Sequence, residues 1–154
     1  MEDKQKSLDS KYLRMARIWA ENSYCKRRQV GALVVKDHMI ISDGYNGTPS
    51  GFDNVCEENN ISFPYVLHAE ANAITKLARS SNNSDGATLY VTAAPCIECA
   101  KLIIQSGIKE VLYLYDKYAD SPATIASKRM LEAAGVKYTR LETSIDRLEL
   151  VYVK

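Results

Sequence analysis

The sequence predicts an α/β fold, a mixed β-sheet with helices on its faces, and three observations carry that expectation. Two β-rich runs, VGALVVK (30–36) and MIISDGY (39–45), flank a short Asp-His turn and read as an antiparallel hairpin. From residue 68 onward, helical and strand patterns alternate three times, which calls for parallel pairing with right-handed crossovers. No repeat, low-complexity tract or linker interrupts the 154 residues, so a single domain over 1–154 is expected.

Taken in order, residues 8–24 form an amphipathic helix with Leu13, Ala16 and Ala20 on one face and Trp19 near it. After the hairpin, NGTPSGFDN (46–54) has the glycine, proline and asparagine density of a loop. Its sharp bends suit a substrate-facing wall. HAEANAITKLARS (68–80) reads as a buried helix stopped by SNNSDG, and ATLYVTA (87–93) as a strand. CIECAKLIIQSG is the next helix, closed at Gly107. EVLYLYD (110–116) is a strand and SPATIASKRMLEAAG a helix with Pro122 in its first turn. VKYTRLE (136–142) is the last strand, and the final dozen residues, TSIDRLELVYVK, carry no clear element.

Composition narrows the function classes. The chain is 46% hydrophobic and 25% charged, as soluble globular proteins are. Twenty basic against nineteen acidic residues leave a net charge of +1. That balance offers no long-range attraction for a nucleic acid, although a local basic pocket stays open. No apolar run approaches the roughly 20 residues that span a bilayer, and MEDKQKSLDSKYLRMARIWAENS is too charged for a signal-peptide core. The expectation is a cytoplasmic protein with no membrane or nucleic-acid partner. Cysteines stand at 25, 56, 96 and 99. In a reducing compartment such thiols are buried, metal-bound or catalytic more often than bridged.

The chemistry concentrates at His68, Glu70, Cys96 and Cys99. Cys96 and Cys99 are one helical turn apart, so their sulfurs share a face. They open a helix, where the dipole favours thiolate. With His68 they make three zinc ligands, leaving one tetrahedral position for water. His38, the only other histidine, falls in the hairpin turn and cannot close that position. The count therefore points to an open, catalytic site for one Zn2+ per chain. A carboxylate two residues beyond a ligating histidine is poorly placed to bind the same ion, but it reaches the water. Zinc lowers that water's pKa to about 7, and Glu70 can take its proton and deliver it elsewhere. HAE with PCIEC satisfies the H-x-E…P-C-x-x-C signature of zinc deaminases.

The likeness runs beyond the metal motif. VGALVVKD…IISDGYNGTPSGF, FPYVLHAEANAI, ATLYVTAAPCIECAKLIIQSGIKEVLY and DKYADS together resemble the deoxycytidylate (dCMP) deaminase family. That resemblance implies a cytidine-deaminase-like three-layer α/β/α fold with a mixed five-stranded sheet. It also implies hydrolysis of dCMP to dUMP and ammonia. Glu70 would shuttle the proton to ring N3 and then to the leaving amine. The Ala69 N–H would hold the pyrimidine carbonyl, and the Ala93 or Ala94 carbonyl would receive the exocyclic amine. Asn46 resembles the family asparagine that contacts sugar or base. For the phosphate, Lys117 and Tyr118 come first, with Ser121, Arg27 and Arg28 as further candidates for charge-assisted bonds. The family forms hexamers or dimers, so a homo-oligomer is implied. Activation by dCTP, with Mg2+ accompanying it, and inhibition by dTTP are implied through the GYNGTPSG loop.

Some phage-type members hold a second, structural zinc with cysteines resembling Cys25 and Cys56 and a histidine upstream of HAE. No histidine lies between Cys56 and His68 here, so Cys25 and Cys56 are expected to be ordinary thiols. Two alternatives stay open beside dCMP: another small cytosine or nucleoside substrate, and a non-catalytic nucleotide-binding accessory role. The intact Glu70 weighs against the second, because binding alone needs no proton shuttle.

Overall fold

The computed structural model describes residues 2–142 and Val153. The final dozen residues, left without an element above, fall almost wholly outside the described residues. Helix α1 (Glu2–Trp19) runs into a 3₁₀ turn at Ala20–Asn22, so the first helix begins six residues earlier than the sequence suggests. Strands β1 (Gly31–Lys36) and β2 (Met39–Tyr45) form the expected hairpin. Asp37 and His38 both take positive φ, 51° and 61°, the backbone of a two-residue hairpin turn whose twist matches the strands. A second, minute hairpin follows, β3 (Glu57–Glu58) and β4 (Ile61–Ser62). Then come α2 (Ala69–Leu77), β5 (Thr88–Ala93), α3 (Ile97–Gln105), β6 (Glu110–Tyr115), α4 (Pro122–Ala133) and β7 (Lys137–Arg140).

The five long strands make one mixed sheet in the order β2-β1-β5-β6-β7. β1 is antiparallel to both neighbours, whereas β5, β6 and β7 are parallel. Alternation along the strands divides the core, as a side-chain period of two requires. Ala32, Val34, Leu89, Val91 and Val111 face α2, α3 and α4, meeting Ala73, Ile103 and Leu131. Leu33, Val35, Tyr90, Leu112 and Leu114 face α1, meeting Leu13 and Ala16. The result is the expected three-layer α/β/α arrangement.

Two close approaches set the helices on the sheet. A Cβ on Gly44 would lie 2.5 Å from the Ala69 carbonyl oxygen and 2.7 Å from the Ala73 nitrogen. Only glycine lets the first turn of α2 sit so near β2. Gly31 does the same for α1, where a Cβ would meet the Ala16 oxygen at 2.0 Å. The helix that begins at His68 is thus seated directly against the sheet. Gly107, at φ +81°, closes α3 as expected, with the Ile108 N–H donating to the Ile103 carbonyl at 3.3 Å.

The expectation of ordinary thiols at Cys25 and Cys56 is corrected. The chain between them folds back so that their Cα atoms stand 5.2 Å apart, and they form a disulfide. Both are buried. Together with Glu57 they gather three ligand-type atoms within 4.8 Å, but the two sulfurs are bonded to each other and neither is a thiolate.

Candidate functional site

His68 is the N-cap of α2 and Cys96 the N-cap of α3, so both reach the site from helix starts at the same end of the sheet. The approach to His68 is fixed by a two-way backbone bridge. Gly47 N–H donates to the Leu67 carbonyl at 3.0 Å, and Leu67 N–H returns to Gly47 at 2.8 Å. Behind Cys96, the Ser127 hydroxyl of α4 donates to the Pro95 carbonyl at 2.8 Å. Ala94 N–H donates to the Tyr115 carbonyl at 2.8 Å. Each ligand is therefore mounted on backbone that is tied elsewhere.

The three predicted ligands converge. His68 Nδ1 lies 3.3 Å from Cys99 Sγ and 3.4 Å from Cys96 Sγ. Zinc bonds of about 2.0–2.3 Å in a tetrahedron give N···S edges of roughly 3.5 Å, so the donor set and its spacing fit the ion. Without metal, the pair of sulfurs divides one proton unequally. The hydrogen bond from Cys99, with a further one from His68, holds Cys96 down to about 3, a thiolate. The same bond to Cys96, together with burial, pushes the Cys99 thiol far up. The His68 imidazole is raised by its hydrogen bond to Cys96, which outweighs burial and the opposing charge of Arg28. A soft anion and a neighbouring imidazole are the chemistry a borderline-soft cation selects.

Glu70 sits in the first turn of α2 and is 4% exposed. Burial raises its pKa, while its own backbone N–H and the His68 charge pull the other way. A carboxyl whose pKa is raised by burial, beside a metal site and shielded from bulk water, is equipped to accept and return a proton.

These groups lie at one end of a cavity of about 710 Å³. His68, Ala69, Glu70, Cys96, Ala93 and Ala94 line it, as do Asn46, Arg27, Lys117 and Tyr118. Every site residue named from the sequence is therefore present except Cys99, which is buried behind the lining, and Ser121. Ala69 opens α2, where a helix amide has no partner within its own helix. Asn46 is 8% exposed. Its Oδ1 accepts from Val30 N–H at 2.9 Å and its Nδ2 donates to the Arg28 carbonyl at 2.8 Å. One amide hydrogen of Asn46 remains beyond those bonds.

Three details differ from the sequence reading. Of loop 46–54, only Asn46 reaches the cavity. The Tyr24 hydroxyl accepts from Thr48 N–H at 3.0 Å and meets its Oγ1 at 2.7 Å, turning the loop away. The wall it was expected to form is built instead by Asn60, Ser62, Phe63, Pro64 and Val66, a stretch to which no role had been given. Ser121, a phosphate candidate, does not line the cavity. Its hydroxyl caps α4 by accepting from Thr124 N–H at 3.2 Å. The two arginines also differ: Arg27 Nη1 donates to Ser62 Oγ at 3.2 Å, whereas Arg28 lies over the Tyr118 ring at 5.9 Å. Lys117 flanks the same ring at 5.5 Å. The loop bearing Lys117 and Tyr118 is anchored at its start by the half-buried Asp116, whose largely covered carboxylate pairs with Lys128 of α4.

Comparison with known proteins agrees with this geometry. Residues 6–115 match the cytidine and deoxycytidylate deaminase zinc-binding region. The chain is 38% identical over 146 residues to the deoxycytidylate deaminase of Mus musculus, covering 89% of this chain and 81% of that one. It is 41% identical over 138 residues to the deoxycytidylate deaminase of Homo sapiens, with 84% and 76% covered. Its fold superposes on the crystal structure of the dCMP deaminase of cyanophage S-TIM5 in complex with dCMP and dUMP. There the TM-score is 0.81 at 39% identity, covering 88% of this chain and 97% of the other. With its histidine, glutamate and cysteine pair converging as that match requires, the chain belongs to the zinc-binding cytidine and deoxycytidylate deaminase family.

Proposed function

We propose that this protein hydrolyses dCMP to dUMP and ammonia. The observation that carries the reading is a single cavity with a His68–Cys96–Cys99 ligand set and a buried Glu70 at one end. The same cavity is lined by Arg27, Arg28 and Lys117, cations suited to a monophosphate. Its relatives are named deoxycytidylate deaminases, which supports the same substrate.

One Zn2+ held by His68, Cys96 and Cys99 would supply a water acidified to a pKa near 7 and an electrophilic field at the reacting carbon. The remaining steps belong to the chain. Ala69 N–H holds the pyrimidine carbonyl, and the Ala93 or Ala94 carbonyl receives the exocyclic amine, so C4 faces the ligand set. Glu70 takes a proton from the attacking water and delivers it to N3. As the C4–N bond breaks, Glu70 passes the second water proton to the leaving amine. Water supplies the oxygen at C4 of dUMP, the hydrogen on N3 and one hydrogen of ammonia, whose other two come from the exocyclic amine, so the reaction balances. Asn46 directs its remaining amide hydrogen to the sugar or base. The phosphate pairs with Arg28 and Lys117 beside the Tyr118 ring, with Arg27 next to them. A homo-oligomer, dCTP activation with Mg2+, dTTP inhibition and a cytoplasmic location are further proposals, carried by the sequence and its family resemblance.

The test is loss of cytosine absorbance when zinc-loaded protein meets dCMP, deoxycytidine, CMP and dCTP separately. Strong preference for dCMP, absent in Glu70→Ala, is the expected result. Equal or better turnover of deoxycytidine would place the chain among nucleoside deaminases instead.

A further inference from the structure

Residues 23–30 cross from α1 to β1 without forming helix or strand, yet they carry both arginines of the cavity. Such a stretch holds one course only when other groups satisfy its backbone. Ser23 and Gln29 do so from within the stretch, and two side chains do so from outside it. Glu57 accepts Lys26 N–H through Oε1 at 2.9 Å and Arg27 N–H through Oε2 at 3.3 Å. Asn46 takes the far half of the arc, bonding Arg28 C=O and Val30 N–H. Asn46 lines the cavity; Glu57 does not.

A carboxylate that binds two adjacent N–H groups fixes the peptide planes there, and with them the direction in which Arg27 and Arg28 leave the backbone. The same hairpin also holds the Arg27 side chain, since Ser62 at its other strand accepts from the guanidinium. Arg28 is left to face the cavity. Among the described residues its guanidinium has no hydrogen-bond or ion-pair partner, only the Tyr118 ring.

We propose that Glu57 is a positioning residue for the substrate's 5′-phosphate: by clamping the Lys26 and Arg27 amides it aims Arg28 into the cavity and so sets the preference for nucleotide over nucleoside. The inference rests on the reading of this cavity as a nucleotide site. Its sign is opposite to that of simple electrostatics. A bystander carboxylate near a phosphate subsite repels the ligand, and neutralising it strengthens binding. A clamp does the reverse, because its removal lets the arginines wander. The Cys25–Cys56 bond lies one residue from Lys26 and one from Glu57 and keeps the hairpin attached when Glu57 is changed.

The experiment compares zinc-loaded wild type, Glu57→Gln and Glu57→Ala. Calorimetry gives the affinities for dUMP and deoxyuridine, and kinetics gives kcat/KM for dCMP and deoxycytidine. The expected result is that both nucleotide-to-nucleoside ratios fall about tenfold in Glu57→Ala and roughly threefold in Glu57→Gln, with the nucleoside values held. Ratios that stay level or rise overturn the proposal, as does an equal fall for nucleotide and nucleoside, which a merely structural role would give. If Glu57→Ala does not fold, Glu57→Gln decides, because it keeps the size and one acceptor oxygen. A wild type without any preference for the nucleotide defeats the nucleotide reading itself, and that ratio is measured before any substitution.

Discussion

The two ends of the cavity are built by different means. At the metal end, each group is mounted in the first turn of a helix. His68 and Glu70 open α2 and Cys96 opens α3, and both helices are packed against the core. At the end proposed for the phosphate, the groups sit on irregular backbone. Arg27 and Arg28 lie on the arc before β1, Ser62 on a two-residue strand, and Lys117 and Tyr118 on the loop after β6. There the geometry rests on single side-chain clamps, Glu57, Asn46 and Asp116, rather than on a helix. The metal end can hold atoms to the tolerance that proton transfer demands. The end proposed for the phosphate supplies charge and reach, for which looser positioning suffices.

The largest effect should come from the metal end. Glu70→Gln should keep one zinc per chain yet lower kcat by on the order of 10³-fold or more, since general acid–base catalysis contributes about 10²–10⁴. The same substitution should raise the stability of the zinc-free protein at neutral pH. Burial raises the folded pKa of Glu70, so its favourable contribution is complete only below the ordinary glutamate range and is lost as pH rises through the folded value. Above that window the buried carboxylate is a cost that glutamine does not carry. Thermal melts of both proteins from pH 4 to pH 8 should show the Tm gap widening in favour of Glu70→Gln. A gap that narrows with pH would mean that the carboxylate is stabilised in place, and the account of its burial would be wrong.

The same division explains what could be read beforehand. Helix starts leave strong local marks: a histidine before an apolar run, a proline before C-x-x-C, a glycine after a helix. His68, Glu70, Cys96 and Cys99 were therefore legible with their spacing, as was the sheet, whose strands alternate so regularly that Leu33 and Val34 fall in different cores. The 57–62 hairpin was not. Its strands are two residues long and largely polar, with no apolar period to detect. The one available signal was the Asn59–Asn60 pair, both at positive φ, because asparagine tolerates that backbone in tight turns. The Cys25–Cys56 contact was hidden for another reason. Cysteine spacing does not specify pairing, and compartment arguments pointed away from a bridge. Ser121 shows the converse error: a hydroxyl beside Lys117 and Tyr118 looked like a phosphate ligand, but its position before Pro122 makes it a helix cap.

An intermediate effect should separate the cations. Arg28→Ala should raise KM for dCMP by about tenfold or more, as loss of a charge-assisted pair with phosphate does, while deoxycytidine is unaffected. Lys117→Ala should do the same more weakly. Lysine offers a point charge, whereas the guanidinium offers a planar fork that can bind two phosphate oxygens. Michaelis parameters for both substrates read this directly. If Lys117→Ala were the stronger, the order of the two would be reversed and the loop after β6 would be the main anion site. If deoxycytidine suffered equally in either variant, the side chain would be shaping the cavity rather than binding phosphate.

The smallest effect concerns a stretch next to the cavity that does not line it. Loop 47–54 is held off by the Tyr24 hydroxyl, which accepts from Thr48 N–H and bonds its side chain. Tyr24→Phe removes both bonds without changing the ring's size. Leaving the Thr48 amide to find another partner should cost about 1 kcal/mol of stability, visible as a modest fall in Tm. Because the loop supplies none of the lining beyond Asn46, KM for dCMP should stay within about twofold. This outcome is worth measuring because the glycine- and proline-rich composition of the loop argues for the opposite. A clear rise in KM would mean that the loop closes over bound nucleotide and that Tyr24 sets its resting position. An unchanged KM would leave recognition to the 60–66 wall and the arginine arc, whose geometry Glu57 and Asn46 hold.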